Sequence, residues 1–144
     1  MLLIGYGNTL RGDDALGPMA IERLRTLLTG AEFVSCHQLG PELAERLAES
    51  DLALFVDAAD GREPGTVEVK RLSPETVAGT SLTHHVQPAA LLALAQTLYG
   101  RAPQAILVTG AGSAYDSEGL SEKGYEALIE ICRLVPLLVR DFPT

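Results

Sequence analysis

The feature that most constrains the fold of this chain is a regular alternation of short apolar runs with longer stretches of helical periodicity. Four of the apolar runs predict strands, at residues 2–6, 32–38, 52–56 and 105–109. Strands that alternate with helices in this way are typical of a parallel sheet joined by right-handed crossovers. We therefore expect an α/β fold: a doubly wound, mostly parallel sheet of five strands with helices on both faces.

The fifth strand and the helices have patterns of their own. Residues 66–72 alternate apolar with polar side chains, which predicts a half-exposed strand, antiparallel at an edge of the sheet. Apolar residues at helical spacing predict helices that begin near Leu16 and Leu91. Ser121 is a favourable N-cap for the last helix, in which Pro136 should cause a kink or a division.

Composition narrows the classes of function. A chain of 144 residues fits a single domain, which we expect to span residues 1–144. The net charge of −8 argues against nucleic acid and anionic membranes as partners, because both require clustered Lys and Arg. No apolar run approaches the roughly 18 residues of a membrane span. Cys36 and Cys132 are far apart in the sequence, so we expect two reduced thiols in a cytoplasmic protein, and we expect a monomer.

Chemically active side chains follow two of the strands and precede one helix. Asp13 and Asp14 follow the first predicted strand, and Asp57 comes directly after the third. His84 and His85 precede a leucine-rich helix. Because ligands of open α/β sheets bind at the carboxyl ends of the strands, we expect these side chains to project from one edge. Two carboxylates and an imidazole there form a candidate metal or acid–base site.

A dinucleotide site is the first alternative, because a Gly-x-Gly pair follows the first strand. Leu10 replaces the third glycine of that motif, and Cys36-His37-Gln38 stands where an acidic residue should bind the ribose. Asp13 and Asp14 would also repel a pyrophosphate at the helix N-terminus, where they favour a cation instead. We therefore disfavour nucleotide binding, and we expect one of the two carboxylates to cap the helix that follows.

A nucleophile of the usual kind is hard to identify. The chain contains no G-x-S-x-G elbow. A dyad of Cys36 with a histidine is conceivable, but Cys36 lies in an apolar run, where packing is its ordinary role. His37 ends the second predicted strand and is a weaker candidate for the same crevice. We therefore expect chemistry that proceeds without a covalent intermediate.

Taken in chain order, these motifs resemble those of the hydrogenase maturation proteases. The resemblance runs from Leu2 to about Leu128 and covers nearly the whole chain. It is carried by the opening segment GYGNTLRGDD at 5–14, Val56-Asp57-Ala58, the turn at 61–65 and Thr83-His84-His85. The resemblance implies a doubly wound α/β fold and an endopeptidase of the aspartic, nickel-dependent type. Such a protease removes a short C-terminal extension from the large subunit of a nickel–iron hydrogenase once nickel has been inserted.

The resemblance also implies roles for individual residues. By motif, Asp14 is similar to the first metal-contacting carboxylate, Asp57 to the second and His84 to the imidazole, and the same three residues would be catalytic. His84 follows Thr83, which matches a Ser or Thr of the family, and the adjacent His85 is the alternative ligand. The implied partner is the precursor of the hydrogenase large subunit, which supplies the nickel.

Two carboxylates and one imidazole suit nickel and leave coordination positions open for cysteine thiolates of the substrate. We hypothesise that the bound ion orients the scissile peptide and polarises its carbonyl or a water, with either Asp14 or Asp57 as general base. Gly5 and Gly7 would let the substrate tail approach the main chain closely. The alternative is a non-enzymatic module that checks the same subunit for nickel, or a chaperone for it.

Overall fold

The computed structural model describes residues 1–74 and 86–141, which contain a five-stranded sheet. Its strands are β1 (Leu2–Tyr6), β2 (Glu32–Cys36), β3 (Leu52–Ala59), β4 (Val67–Leu72) and β5 (Gln104–Ala111). They lie in the order β2-β1-β3-β5-β4. The first three strands and β5 run parallel, and β4 pairs antiparallel with β5 at one edge. The predicted mostly parallel sheet with an antiparallel edge strand is confirmed.

The helices that pack on the sheet are α1 (Leu16–Leu27), α2 (Leu43–Ala48), α3 (Pro88–Tyr99) and α4 (Glu122–Arg140). A short 3₁₀ helix at Gly12–Ala15 leads into α1. Ser121 caps α4 by accepting a hydrogen bond from the Gly124 amide, as predicted. Of the kink or division expected at Pro136, the division is wrong, because α4 continues through Pro136 with apolar side chains packed on the core at either side. Within the described ranges, no helix is long and apolar enough to cross a membrane.

Two apolar layers fix the sheet between the helices. Leu3, Leu54 and Val56 point to the face that α1 and α4 cover. Ile4 and Phe55 point to the opposite face, which α2 and α3 cover. All five side chains are fully buried, as the period of two along a strand requires when both faces are covered. Helices on both faces of the sheet are therefore confirmed.

The strand order creates a switch point between β1 and β3. The chain leaves β1 for β2 on one side and then crosses to β3 on the other. In such sheets, the crevice at the carboxyl ends of these two strands is where ligands bind. Asp57 lies inside β3 and not directly after it as predicted, because pairing with β5 continues through Asp57 and Thr109 to the end of the strand at Ala59.

Candidate active site

A cleft of about 300 Å³ opens at the switch point of the sheet. Tyr6 from the end of β1, Asp57 from β3 and Asp14 from the 3₁₀ helix all line it. The two carboxylates that the sequence singles out are therefore brought together, although they lie 43 positions apart in the chain. The other lining residues are mostly polar: Asn8, Arg11, His37, Gln38, Leu39, Ala58, Val86 and Gln87.

Asp57 is a partly buried carboxylate that accepts hydrogen bonds from two donors. Its Oδ1 accepts a hydrogen bond from the Ala58 amide (2.8 Å), and the Tyr6 hydroxyl also donates to the carboxylate. Burial raises the pKa of Asp57 to about 6; the two hydrogen bonds oppose this rise, and the negative charge of Asp14 adds to it. Asp57 can therefore exchange a proton near neutral pH, as an acid–base group must.

Tyr6 is a cleft residue that sequence reasoning did not single out. Burial and then the charge of Asp57 raise the pKa of Tyr6 well above its ordinary value, so the hydroxyl stays protonated and serves as a donor. The sequence does show a tyrosine at the end of an apolar strand, and this pattern predicts a hydrogen-bond partner for its hydroxyl, because buried tyrosine hydroxyls usually have one. The identity of that partner, Asp57, depends on the order of the strands.

Asp14 is held by the turn that follows β1. Its Oδ2 accepts a hydrogen bond from the Asn8 amide (2.7 Å). Gly7 has a φ of +150°, and a Cβ at this position would overlap the Asp14 carbonyl oxygen. A Cβ at Gly5 would likewise overlap the Gly17 carbonyl of α1. The protein's own backbone therefore fills the space that a side chain would take at each of these two positions. Their expected role in admitting a substrate tail stays a prediction.

Asp13 is fully buried and does not line the cleft. Its carboxylate accepts hydrogen bonds from the amides of Ser113 and Ala114 and from the amide and hydroxyl of Ser121. Burial alone would raise the pKa of Asp13, but these hydrogen bonds hold it below its ordinary value. Ala15 occupies the N-cap position of α1, so the expected capping by an aspartate is wrong: both carboxylates bond elsewhere.

The predicted imidazole, His84, and its alternative, His85, lie outside the described residues. Val86 and Gln87 follow them in the chain and line the cleft, and so does the exposed side chain of His37. Among the residues that the structure describes, no three His, Cys, Asp or Glu side chains form a group that could hold a metal ion. The two carboxylates of the cleft thus offer part of a coordination sphere, which further ligands would have to complete.

Cys36 shows the environment of a packing residue. It ends β2 and contacts the apolar cluster that α2 and α3 cover. Burial raises the pKa of the Cys36 thiol, and the charge of Glu42 adds to the rise. Because the thiolate is the nucleophilic form, this environment disfavours the dyad considered from the sequence.

No protein-family model and no curated protein matches the chain. Solved structures do match it. The hydrogenase maturation protease HycI of Thermococcus kodakarensis KOD1 has 24% identity and a TM-score of 0.76, over 97% of this chain and 92% of that one. The hydrogenase maturating endopeptidase HybD of E. coli has 22% identity and a TM-score of 0.77, over 97% and 91%.

A hydrogenase 2 maturation peptidase from a Thaumarchaeota archaeon has 19% identity and a TM-score of 0.70, over 96% of each chain. At such identities the likeness establishes the fold, and it extends over nearly all of both chains. The protein therefore has the fold of the nickel–iron hydrogenase maturation proteases, the family that its sequence motifs resemble.

Proposed function

We propose that this protein is an endopeptidase that removes the C-terminal extension of a nickel–iron hydrogenase large subunit after nickel insertion. The observation that carries the proposal is the meeting of Asp14 and Asp57 in one cleft at the switch point of the sheet. The fold supports it, because the structures that share this fold and are named above are maturation proteases or peptidases.

In this proposal, nickel arrives with the precursor and is part of the substrate. Asp14, Asp57 and His84 would contact the ion, since nickel accepts both carboxylate and imidazole ligands. Three ligands leave positions open, so cysteine thiolates of the precursor can stay bound while the protease engages the ion. A precursor without nickel would lack this link, and the protease would distinguish loaded from unloaded subunits.

Hydrolysis requires a proton acceptor beside the attacking water, and we assign that role to Asp57. In the absence of nickel, its pKa of about 6 makes it largely ionised at neutral pH and still able to return a proton. The water oxygen bonds to the scissile carbonyl carbon while Asp57 takes a proton from the water. The C–N bond then breaks as that proton passes to the leaving amine. Asp14, held by the Asn8 amide, orients the substrate through its nickel.

The chain as a whole suits such a role. Cys36 and Cys132 are both free, which supports a reducing cytoplasmic location. The net charge of −8 disfavours nucleic acid and anionic membranes as partners. We therefore propose a cytoplasmic monomer with one domain over residues 1–144, whose partner is the hydrogenase precursor.

The test is to incubate the protein with nickel-loaded precursor and to detect the released C-terminal peptide by mass spectrometry. We expect the peptide from loaded precursor and none from nickel-free precursor. Asp14→Ala, Asp57→Ala and His84→Ala should abolish release and retain the fold, because cleft residues contribute little to the core. Asp51→Ala is the matched control, since Asp51 is exposed and precedes β3 at the opposite end of the sheet.

Two outcomes would contradict the proposal. Processing at the normal rate by Asp57→Ala or His84→Ala would show that the site is wrong. Tight binding of nickel-loaded precursor by the wild-type protein without any release of peptide would favour the module that checks the subunit for nickel.

A further inference from the structure

Asp13 fastens two distant parts of the chain to each other. The amides of Ser113 (2.7 Å), Ala114 (3.1 Å) and Ser121 (2.8 Å) and the Ser121 hydroxyl (2.6 Å) all donate to its carboxylate. In return, the Asp13 amide donates to the Ala114 carbonyl (2.8 Å). These partners lie 100 to 108 residues further along the chain, in the segment between β5 and α4. We call Asp13 and these three residues the Asp13 clamp.

Three glycines make room for the Asp13 clamp. A Cβ at Gly112 would lie 2.6 Å from the Asp13 Cβ, and a Cβ at Gly124 would overlap Asp13 Oδ1. At Gly12, a Cβ would overlap the carbonyl oxygen of Ala114. The backbone at Gly112 and Gly124 therefore approaches Asp13 closely, and the backbone at Gly12 approaches its partner Ala114.

The Asp13 clamp lies directly beside the cleft in the chain. Asp14 follows Asp13 in the same 3₁₀ helix, and its Oδ2 accepts the hydrogen bond from Asn8. One aspartate is thus anchored in the interior while its neighbour lines the cleft. Because the 3₁₀ helix is only one turn long, a displacement of Asp13 must also move the backbone that carries Asp14.

We propose that Asp13 is a positioning residue, which sets the place of the Asp14 carboxylate in the cleft through the Asp13 clamp. The inference rests on the proposed function, in which Asp14 contacts the substrate. Each of the four groups that hydrogen-bond to the Asp13 carboxylate is a donor, so an ionised carboxylate satisfies them all. Asp13→Asn would turn an NH₂ group towards at least one of these donors and disrupt the clamp without a change of size.

Two measurements on Asp13→Asn test the proposal. The first is the ¹H–¹⁵N resonance of the Asn8 amide, which reports its bond to Asp14; it should move towards its position in Asp14→Ala. The second is processing of nickel-loaded precursor, where kcat should fall about 10- to 100-fold, as for other groups that orient a ligating residue. KM should change less, because the remaining cleft still binds the precursor.

Gly124→Ala is a second variant for the case in which Asp13→Asn does not fold. The added Cβ would overlap Asp13 Oδ1 and displace it, whereas alanine by itself favours a helix such as α4. The Asn8 resonance should therefore shift, and kcat should fall, in the same direction as in Asp13→Asn. Val135→Ala is the control for lost stability, because Val135 is buried in α4 beyond the clamp. It should lower the melting temperature and leave the Asn8 resonance and kcat unchanged.

A wild-type Asn8 resonance in folded Asp13→Asn and Gly124→Ala would overturn the proposal. So would a shifted resonance with a wild-type kcat, because Asp14 would then have moved without consequence. If the wild-type protein releases no peptide from any loaded precursor, the proposed function fails. The Asn8 resonance would still decide, independently of processing, whether Asp13 positions Asp14.

Discussion

Replacing Asp57 with asparagine should stabilise the folded protein at neutral pH while abolishing processing. Burial raises the pKa of Asp57 from 3.8 to about 6, so folding disfavours the ionised form. A rise of this size corresponds to about 3 kcal/mol, at 1.36 kcal/mol for each pH unit. Asparagine has nearly the same size and still accepts the Ala58 hydrogen bond, so Asp57→Asn should raise the free energy of unfolding by up to about 3 kcal/mol.

The sign of the pH dependence follows from proton binding. Between pH 3.8 and about 6, the folded protein holds more protons at Asp57 than the unfolded chain does, so its stability falls as the pH rises. Below this window Asp57 is protonated in both the folded and the unfolded protein, so burial of its carboxylate costs no stability. Above this window Asp57 is ionised in both, and the full cost of burying the charge is subtracted from the free energy of unfolding. The advantage of Asp57→Asn should therefore be near zero at about pH 4 and largest at about pH 8.

Urea unfolding at a series of pH values, followed by circular dichroism, measures this difference. Asp51→Asn is the matched control, because it makes the same chemical change at an exposed position before the same strand. Its stability relative to the wild type should not follow the same pH dependence. If Asp57→Asn were less stable than the wild type at about pH 8, or if the difference did not vary with pH, the claim that folding raises the pKa of Asp57 through burial would be contradicted.

Three further changes have defined outcomes. Asp13→Ala should lower the free energy of unfolding by about 3 kcal/mol near pH 7, because it leaves several donors without an acceptor. The loss should become smaller as the pH falls through the lowered pKa of Asp13, and a pH-independent loss in urea titrations would contradict this. Tyr6→Phe removes a hydrogen-bond donor that lowers the pKa of Asp57, so the acid limb of the pH–rate profile should move to higher pH. An acid limb at its wild-type position would contradict the hydrogen bond from Tyr6 to Asp57. Cys36→Ala should process precursor at the wild-type rate, and iodoacetamide should not inhibit the wild-type protein; inhibition that Cys36→Ala abolishes would restore the thiol hypothesis.

Much of the fold could be predicted from the sequence because its signals are local. Apolar runs identify the strands, and the alternation at residues 66–72 identifies the antiparallel edge strand β4. Ser121 marks the start of α4 through its own side chain. The sequence predicts that β3 ends at Val56, three residues before its observed end at Ala59, because the charged Asp57 interrupts the apolar run. Its continuation depends on pairing with β5, which no local pattern contains.

The candidate site was predictable only in part. The rule for strand ends and the family resemblance both selected Asp14 and Asp57, which share the cleft. The separate fate of Asp13 was not predictable, because its partners lie 100 or more residues away and are mostly backbone amides. His84 lies outside the described residues, so its role stays a prediction, as does a single domain over the whole chain.

The pairing of Asp14 and Asp57 around one ion is tested most directly by anomalous diffraction from crystals soaked in nickel, recorded at the nickel absorption edge. We expect one strong peak in the cleft, within coordinating distance of an oxygen from each carboxylate and of the His84 imidazole. A peak bound to other residues, or no peak in the cleft at saturating nickel, would contradict the shared site.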